Sequence, residues 1–320
     1  MIQTSSIIER LHQQWPNLEI AIEQIHTTGD RLTHTPLSQI GGDGVFVTEI
    51  ERALRERRID LAVHSLKDLP TAQPDGLRLV IAGPREDVRD VFVSNAAWSI
   101  SDQGLRPVLP NTQLETTPRI GTCSLRRTAQ IRALCPNAQI LSLRGNVDTR
   151  LRKLEAGDYD GIVLAAAGLH RLNIQERVAG KLVYFPIALM MPAPGQGALA
   201  VEIRDEPEMY ALLAPLRDAQ VQAATCAERM FMRRLGAGCY LPVAAYGEIL
   251  SETLTLIGLV ISLDGQHHIG VHQSMHWTPE MNIEYAEQLG ISLAEQALAQ
   301  GASEIIQEMH TTRMREHQHV

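Results

Sequence analysis

The residues best suited to chemistry fall in three places. Lys67 and Asp68 stand side by side in His64-Ser65-Leu66-Lys67-Asp68-Leu69-Pro70, directly after the apolar run Ile59-Asp60-Leu61-Ala62-Val63. A carboxylate beside an ammonium can protonate a leaving amine or stabilise a cationic intermediate. A second group is basic. Arg126 and Arg127 follow Arg119-Ile120-Gly121-Thr122-Cys123-Ser124, Arg144 and Arg150 follow Ile140-Leu141-Ser142-Leu143, and Arg171 follows Asp160-Gly161-Ile162-Val163-Leu164-Ala165. Guanidinium groups fork onto carboxylates and phosphates. The third is a thiol. Cys239 sits in Leu235-Gly236-Ala237-Gly238-Cys239, where small neighbours leave the sulfur open to a bulky partner. Such a thiol suits attachment or nucleophilic work, although a helix-ending glycine before a small buried cysteine explains the same residues.

These groups need elements that bring them together. Apolar residues Ile7, Ile8, Leu11 and Trp15 predict a helix over 4–15, and alternation at Leu18, Ile20 and Ile22 predicts a strand to Ile25. Gly41-Gly42-Asp43-Gly44 suggests a mobile lid, or a backbone that approaches a ligand, or simply a flexible connection, ahead of a helix near 46–57. Ile59 to Val63 reads as a buried strand, and polar groups at the carboxyl end of such a strand are where α/β sheets bind ligands. Leu77 to Ala82 is another strand. Residues 99–117 read as a surface insertion. In the middle of the chain three strands each end at a helix start rich in arginine, with Thr122 or Ser124 capping one helix and Asn146 the next. Parallel strands would set these ends side by side and line a cleft with arginine, and free helix amides add anion-binding capacity. Hinge-like crossings near 84–88 and 188–196 imply one domain inserted in another. A helix over 219–235, three strands at about 240–248, 252–261 and 267–274, a helix at 281–299 and a shorter one then make a third, α+β domain.

Composition narrows the function classes. The 320 residues are 44% hydrophobic and 21% charged, enough for two or three domains. A net charge of −8 argues against nucleic acid as a partner. No apolar run approaches the ~20 residues that span a bilayer, and no signal-peptide pattern opens the chain, so a cytoplasmic protein without a membrane partner is expected. Cys123, Cys135, Cys226 and Cys239 show no metal-ligand spacing. No metal is expected.

Taken together these segments resemble the porphobilinogen deaminase (hydroxymethylbilane synthase) family. The likeness runs through Gly41-Gly42 to Phe46, the 64–70 segment, Arg85-Glu86-Asp87 with Arg89-Asp90, and Gly121-Thr122 with Ser124-Leu125-Arg126-Arg127. It continues through Leu143-Arg144-Gly145-Asn146, Thr149-Arg150-Leu151, Ala167-Gly168-Leu169, Pro194-Gly195-Gln196-Gly197, Ala227-Glu228-Arg229 and Gly238-Cys239, covering nearly the whole chain. The resemblance implies an α/β fold of two periplasmic-binding-protein-like lobes plus a small α+β C-terminal domain. The expected boundaries are 1–84 with 194–216 for lobe 1, 88–188 for lobe 2 and 219–320 for the third domain. It implies a monomeric transferase that deaminates four molecules of porphobilinogen and joins them head to tail into hydroxymethylbilane. The primer is a dipyrromethane cofactor, thioether-linked to Cys239. Asp68 matches the catalytic aspartate, beside the cationic azafulvene formed when ammonia leaves, and Lys67 helps place carboxylates. Ser65, Lys67, Thr122, Ser124, Arg126, Arg127, Arg144 and Gly145 match cofactor-binding positions. Arg126, Arg150, Arg171 and Gln196 match positions for the growing chain, Gln196 lining the cleft.

Three departures qualify the match. The family opens with a strand ending in arginine and serine, whereas Met1-Ile2-Gln3 enters directly at the following helix. A first strand of lobe 1, roughly fifteen residues with its turn, is expected to be missing, with the true start upstream. Asp43 stands where the family carries lysine, and Cys123 and Ala237 replace serine and glycine. The competing readings are a truncated, impaired deaminase and a non-catalytic two-lobed anion-binding protein. A pyrrole adduct on Cys239 separates them.

Overall fold

A computed structural model describes residues 1–25, 47–108, 117–178, 180–236 and 241–318. The Gly41–Gly44 loop with Asp43, and Ala237, Gly238 and Cys239, lie outside the described residues. So does the expected lid.

The first lobe starts with α1 (Ile2–Gln14), whose Ile7 and Leu11 are fully buried, followed later by α2 (Thr48–Arg55). Strand β1 (Leu61–Ser65) runs into a 3₁₀ turn at Leu66–Asp68, and β2 (Leu77–Ala82) follows. The predicted strand over 18–25 does not form: these residues join no ladder. Leu18 and Ile20 still pack on the core beside Ile7, but Ile22 is 50% exposed. Alternating residues make a strand only where a neighbour supplies the ladder, and none among the described residues flanks this segment.

The second lobe holds β3 (Asp90–Ser94), β4 (Trp98–Ser101), β5 (Gly104–Pro107), β6 (Arg119–Gly121), α3 (Leu125–Leu134), β7 (Gln139–Leu141), α4 (Val147–Glu155), β8 (Gly161–Ala165), α5 (Ala166–Arg171) and β9 (Leu182–Tyr184). Its sheet has the order β7-β6-β8-β3-β9. β6 pairs in parallel with both β7 and β8, so the three arginine-bearing strand ends do lie side by side. The expected surface insertion at 99–117 is in part a packed hairpin. β4 and β5 pair, Trp98 and Leu105 are buried, and the Trp98 ring lies 4.9 Å from that of Phe92. Polar composition masked two anchoring apolar side chains.

The chain returns through β10 (Leu199–Arg204), which lies between β1 and β2 and is antiparallel to both. β1 therefore has one ladder neighbour among the described residues. A short helix, α6 (Pro207–Leu213), leads to α7 (Ala219–Arg234), capped by the Asp218 carboxylate accepting from the Val221 amide. The C-terminal unit then folds β11 (Val243–Leu250), β12 (Thr253–Ile261) and β13 (His268–His276) into an antiparallel sheet. α7 and α8 (Ile283–Ala297) cover it, burying Phe231, Leu254, Leu256, Leu289 and Leu293 in one core. The last helix, α9 (Ser303–Gln318), is 16 residues, longer than expected. Among the described residues no helix is long and apolar enough to cross a membrane.

Candidate active site

The 3₁₀ turn after β1 presents Asp68 exposed, while its flanking Leu66 and Leu69 are buried as anchors. Lys67 is half-buried and turns inward, its Nζ donating to Gln196 Oε1 at 3.1 Å. Desolvation pushes the Lys67 ammonium down to about 8, helped by nearby Arg127 and opposed by Asp68 and Asp90. An anion arriving beside such an ammonium favours its charged form and raises it again. Ser65 Oγ accepts from Gln3 Nε2 at 2.7 Å.

Gln196 was expected at the cleft wall, but it is fully buried. Its Nε2 donates to Val88 O at 2.7 Å and to Asp90 Oδ1 at 3.0 Å. A primary amide has both donors and an acceptor, and here they tie the Lys67 turn of one lobe to β3 of the other. Asp90 is itself buried. Arg126 Nη1 lies 2.7 Å from its Oδ2, and Arg127 donates to its Oδ1 through Nε at 3.1 Å and Nη2 at 2.7 Å. Burial alone would raise the Asp90 carboxyl; the two guanidiniums outweigh it and hold the group far below the usual carboxylate range. Arg127 also donates to Val163 O, which commits it to the protein interior. Arg126 donates to Met191 O, yet its Nε is buried without a hydrogen-bond partner among the described residues.

Around this cluster the helix starts fall as predicted. Ser124 caps α3, its Oγ accepting from the Arg127 amide, while buried Thr122 accepts from the Ser124 amide through Oγ1. Asn146 caps α4 by accepting from the Thr149 amide. Gly145 has φ +111°, and an added Cβ would lie 2.9 Å from Thr149 Cβ, so only glycine fits that turn. Its carbonyl accepts from Arg150 Nε at 2.7 Å. Arg144 is half-buried. Burial lowers the Arg150 guanidinium, Cys123 and Asp68 act to raise it, and Arg127 lowers it further; an arginine keeps its proton regardless. Arg171 is turned to the hinge, donating to Gly197 O at 2.6 Å. Asp68, Lys67, Arg126, Arg127 and Arg150 thus converge electrostatically, while Arg171 is committed to the hinge carbonyl of Gly197.

Sequence reasoning gave no role to three residues that hold these parts together. Asp90 is one. The others are Arg85 and Glu228: Glu228, on α7 and fully buried, accepts from Arg85 Nη1 at 2.7 Å and Nη2 at 3.0 Å, from the Gly195 amide at 2.6 Å and from the Gly247 amide at 2.7 Å. Both crossings between lobes are so fastened to the C-terminal unit. The available signal was charge inside apolar runs, as in Asp90-Val91-Phe92-Val93, where a buried carboxylate demands a partner.

The comparisons with known proteins decide the family. The model described as "Porphobilinogen deaminase, dipyromethane cofactor binding domain" matches residues 1–211, and that for the porphobilinogen deaminase C-terminal domain matches 223–299. The chain belongs to the porphobilinogen deaminase family. A porphobilinogen deaminase of Syntrophotalea carbinolica is 44% identical over 306 residues, covering 95% of this chain and 90% of that one. Another, of Syntrophobacter fumaroxidans, is 40% identical over 309 residues, covering 96% and 94%. Among solved structures, the GluR0 ligand-binding core of Nostoc punctiforme aligns at a TM-score of 0.35 and 11% identity over 67% of this chain and 82% of that chain. The two-lobed plan rests on the sheets described above. The activity is that of the family: a transferase joining four porphobilinogens into hydroxymethylbilane on a dipyrromethane primer, in porphyrin biosynthesis. The site residues fit that primer. Each of its pyrroles bears an acetate and a propionate, and the deaminase offers Lys67, Arg144, the unpartnered Nε of Arg126 and the amides at the start of α3.

Proposed function

We propose that Asp68 is the acid and base of the deaminase, that Cys239 carries the primer, and that the remaining cations steer carboxylates. The observation that supports this is the place of Asp68: an exposed carboxylate within electrostatic reach of Lys67 on its own turn and of Arg150 from the other lobe. Asp68 gives its proton to the aminomethyl nitrogen of porphobilinogen. The carbon–nitrogen bond breaks, its electron pair leaves with ammonia, and the Asp68 carboxylate faces the cation left on the substrate. A bound primer would supply the nucleophilic pyrrole carbon; Asp68 would then take back the proton displaced from that carbon as the carbon–carbon bond forms, so that the cycle balances. Lys67, Arg126, Arg144 and Arg150 hold side-chain carboxylates of the chain through charge-assisted bonds; Ser65, Thr122, Ser124 and Gly145 shape the same surface, and Arg127, Arg171 and Gln196 keep it in place.

The reading includes domain boundaries at 1–84 with 194–216, 88–188 and 219–320, and a cytoplasmic monomer. One chain contributes groups from both lobes, and the three described cysteines are unpaired, as in a reducing compartment. Replacement of Asp68 by Asn lowers kcat by ~10²–10⁴-fold, with the two-pyrrole mass increment kept on the intact chain. Cys239→Ser loses that increment. Substantial turnover in Asp68→Asn would remove Asp68 from the mechanism, and an increment surviving in Cys239→Ser would move the anchor elsewhere.

A further inference from the structure

Asp68 is exposed, so its place is set by the backbone of its turn rather than by packing of its own side chain. That turn follows β1, which has one ladder neighbour among the described residues. Leu66 and Leu69 anchor the turn through their side chains, and a cation from the C-terminal unit binds its backbone. Arg229, on α7, donates through Nη2 to Pro70 O at 2.6 Å and through Nη1 to Leu69 O at 3.2 Å, with Leu66 O at 3.5 Å. These carbonyls bracket Lys67 and Asp68 on both sides. A guanidinium is suited to gathering the free carbonyls at the end of a 3₁₀ turn, where the backbone dipoles point their negative ends.

The preceding residue of the helix completes the arrangement. Glu228 binds the Gly195 amide, and Gly195 presses on the turn: a Cβ added there would lie 2.9 Å from Leu66 Cγ. Two successive residues of one helix therefore hold a hinge and the acid-bearing turn, which touch each other. The same helix ends at Arg234, five residues before Cys239 in sequence.

We propose that Arg229 is a positioning residue for deamination, fixing Asp68 from the primer-bearing unit through the carbonyls of the 66–70 turn. The proposal rests on the reading of Asp68 as the acid. Arg229 touches neither substrate nor primer in it, so its loss disturbs the bond-breaking step and leaves substrate affinity alone.

The test uses the primer-loaded enzyme and porphobilinogen, with Arg229→Met and Arg229→Lys each made alone and on Asp68→Asn. Arg229→Met is expected to keep the primer mass and a KM within about twofold, while kcat falls ~10–100-fold, the scale of an ångström of misplacement. Arg229→Lys recovers part of the loss, since one ammonium replaces two of the donors. On Asp68→Asn, removing Arg229 costs less than about twofold more, because both changes remove the same group from service. A kcat near that of the native enzyme in Arg229→Met, a loss that appears in KM instead, or an equal loss on Asp68→Asn each overturns the proposal. Should Arg229→Met fail to fold, Arg229→Lys decides by the same split between kcat and KM. Full activity in Asp68→Asn alone would strike the reading beneath, and is told apart because it needs no change at Arg229.

Discussion

The two lobes support their halves of the site in opposite ways. In the second lobe β8 is buried over four of its five residues and is flanked by β6 and β3, in a five-stranded sheet. In the first, β1 is buried at one residue of five and paired on one side among the described residues. The arginines grow from the sheet that supports itself, and its Asp90 anchors them from within. The Asp68 turn grows from a sheet of three strands among the described residues and is held from outside, by Gln196 through Lys67 and by α7 through Arg229. Binding groups can be fixed by their own core because they meet a ligand that comes to them. If Asp68 is the acid and Cys239 the anchor, as proposed, the acid would be placed by the unit that carries the growing chain.

The comparison breaks most visibly at its two aspartates. Asp90→Ala leaves Arg126 and Arg127 buried without their carboxylate and removes an acceptor of Gln196. Unpairing one member of a buried ion pair costs about 3–5 kcal/mol, so the urea midpoint should fall steeply or the second lobe should not fold. Asp68→Ala, at an exposed position, should stay within about 0.5 kcal/mol of the native chain. Equal midpoints would mean that Asp90 does not hold the lobe. The acid limb carries the same sign: the Asp90 carboxyl is depressed, so its contribution is complete above the ordinary carboxylate range and is lost only as pH falls toward its lowered value.

Glu228→Gln should come next. It leaves Arg85 without its charge partner and weakens acceptors for two buried amides, at Gly195 and Gly247. A loss of about 2–4 kcal/mol is expected, read as a lowered urea midpoint. Turnover should fall with it if Asp68 is the acid as proposed, since the hinge presses on the 66–70 turn. A stable variant with slowed turnover would sharpen the contrast between lobes; a stable variant of native rate would remove α7 from the support of the first lobe.

Much of this was legible in the residues. The three parallel strand ends with their arginines could be read because each strand is short and followed by a helix, two of them capped by Ser124 and Asn146. The division of labour among the arginines could not. Arg126 and Arg127 are adjacent and alike in sequence, and only the position of Asp90, 36 residues before Arg126, turns both inward, leaving the Nε of Arg126 as the donor without a partner among the described residues. Gln196 reads as a polar residue in a glycine-rich hinge, a pattern equally suited to a cleft wall and to a buried tether. The segment 18–25 misled for a related reason: alternation records which side chains pack, and Leu18 and Ile20 do pack, but a strand also needs a neighbour. Cys239 lies outside the described residues, and its role as anchor rests on the resemblance of its segment to the family.

The effect expected at Lys67 is read through pH rather than through a fall in the urea midpoint. Its ammonium is pushed down to about 8 from an ordinary 10.5, chiefly by desolvation. The sign for stability follows from proton counts. Between these values the unfolded chain binds more protons than the folded one, so stability of the ligand-free protein should rise as pH climbs through that window. Below about 8 the penalty is constant. Lys67→Met should lack the rise. Carboxylate binding runs the other way: above about 8 the free site has lost its charge, and affinity for a polycarboxylate should fall by up to about tenfold per pH unit, one proton being taken up on binding. Lys67→Arg, which keeps its charge, should flatten that profile. Calorimetry with a porphobilinogen analogue in buffers of different ionisation heat measures the proton directly. Uptake that is the same in Lys67→Arg would place the titrating group elsewhere, and the tie from Lys67 through Gln196 to Asp90 would then be a structural link between the lobes with no part in reading the ligand's charge.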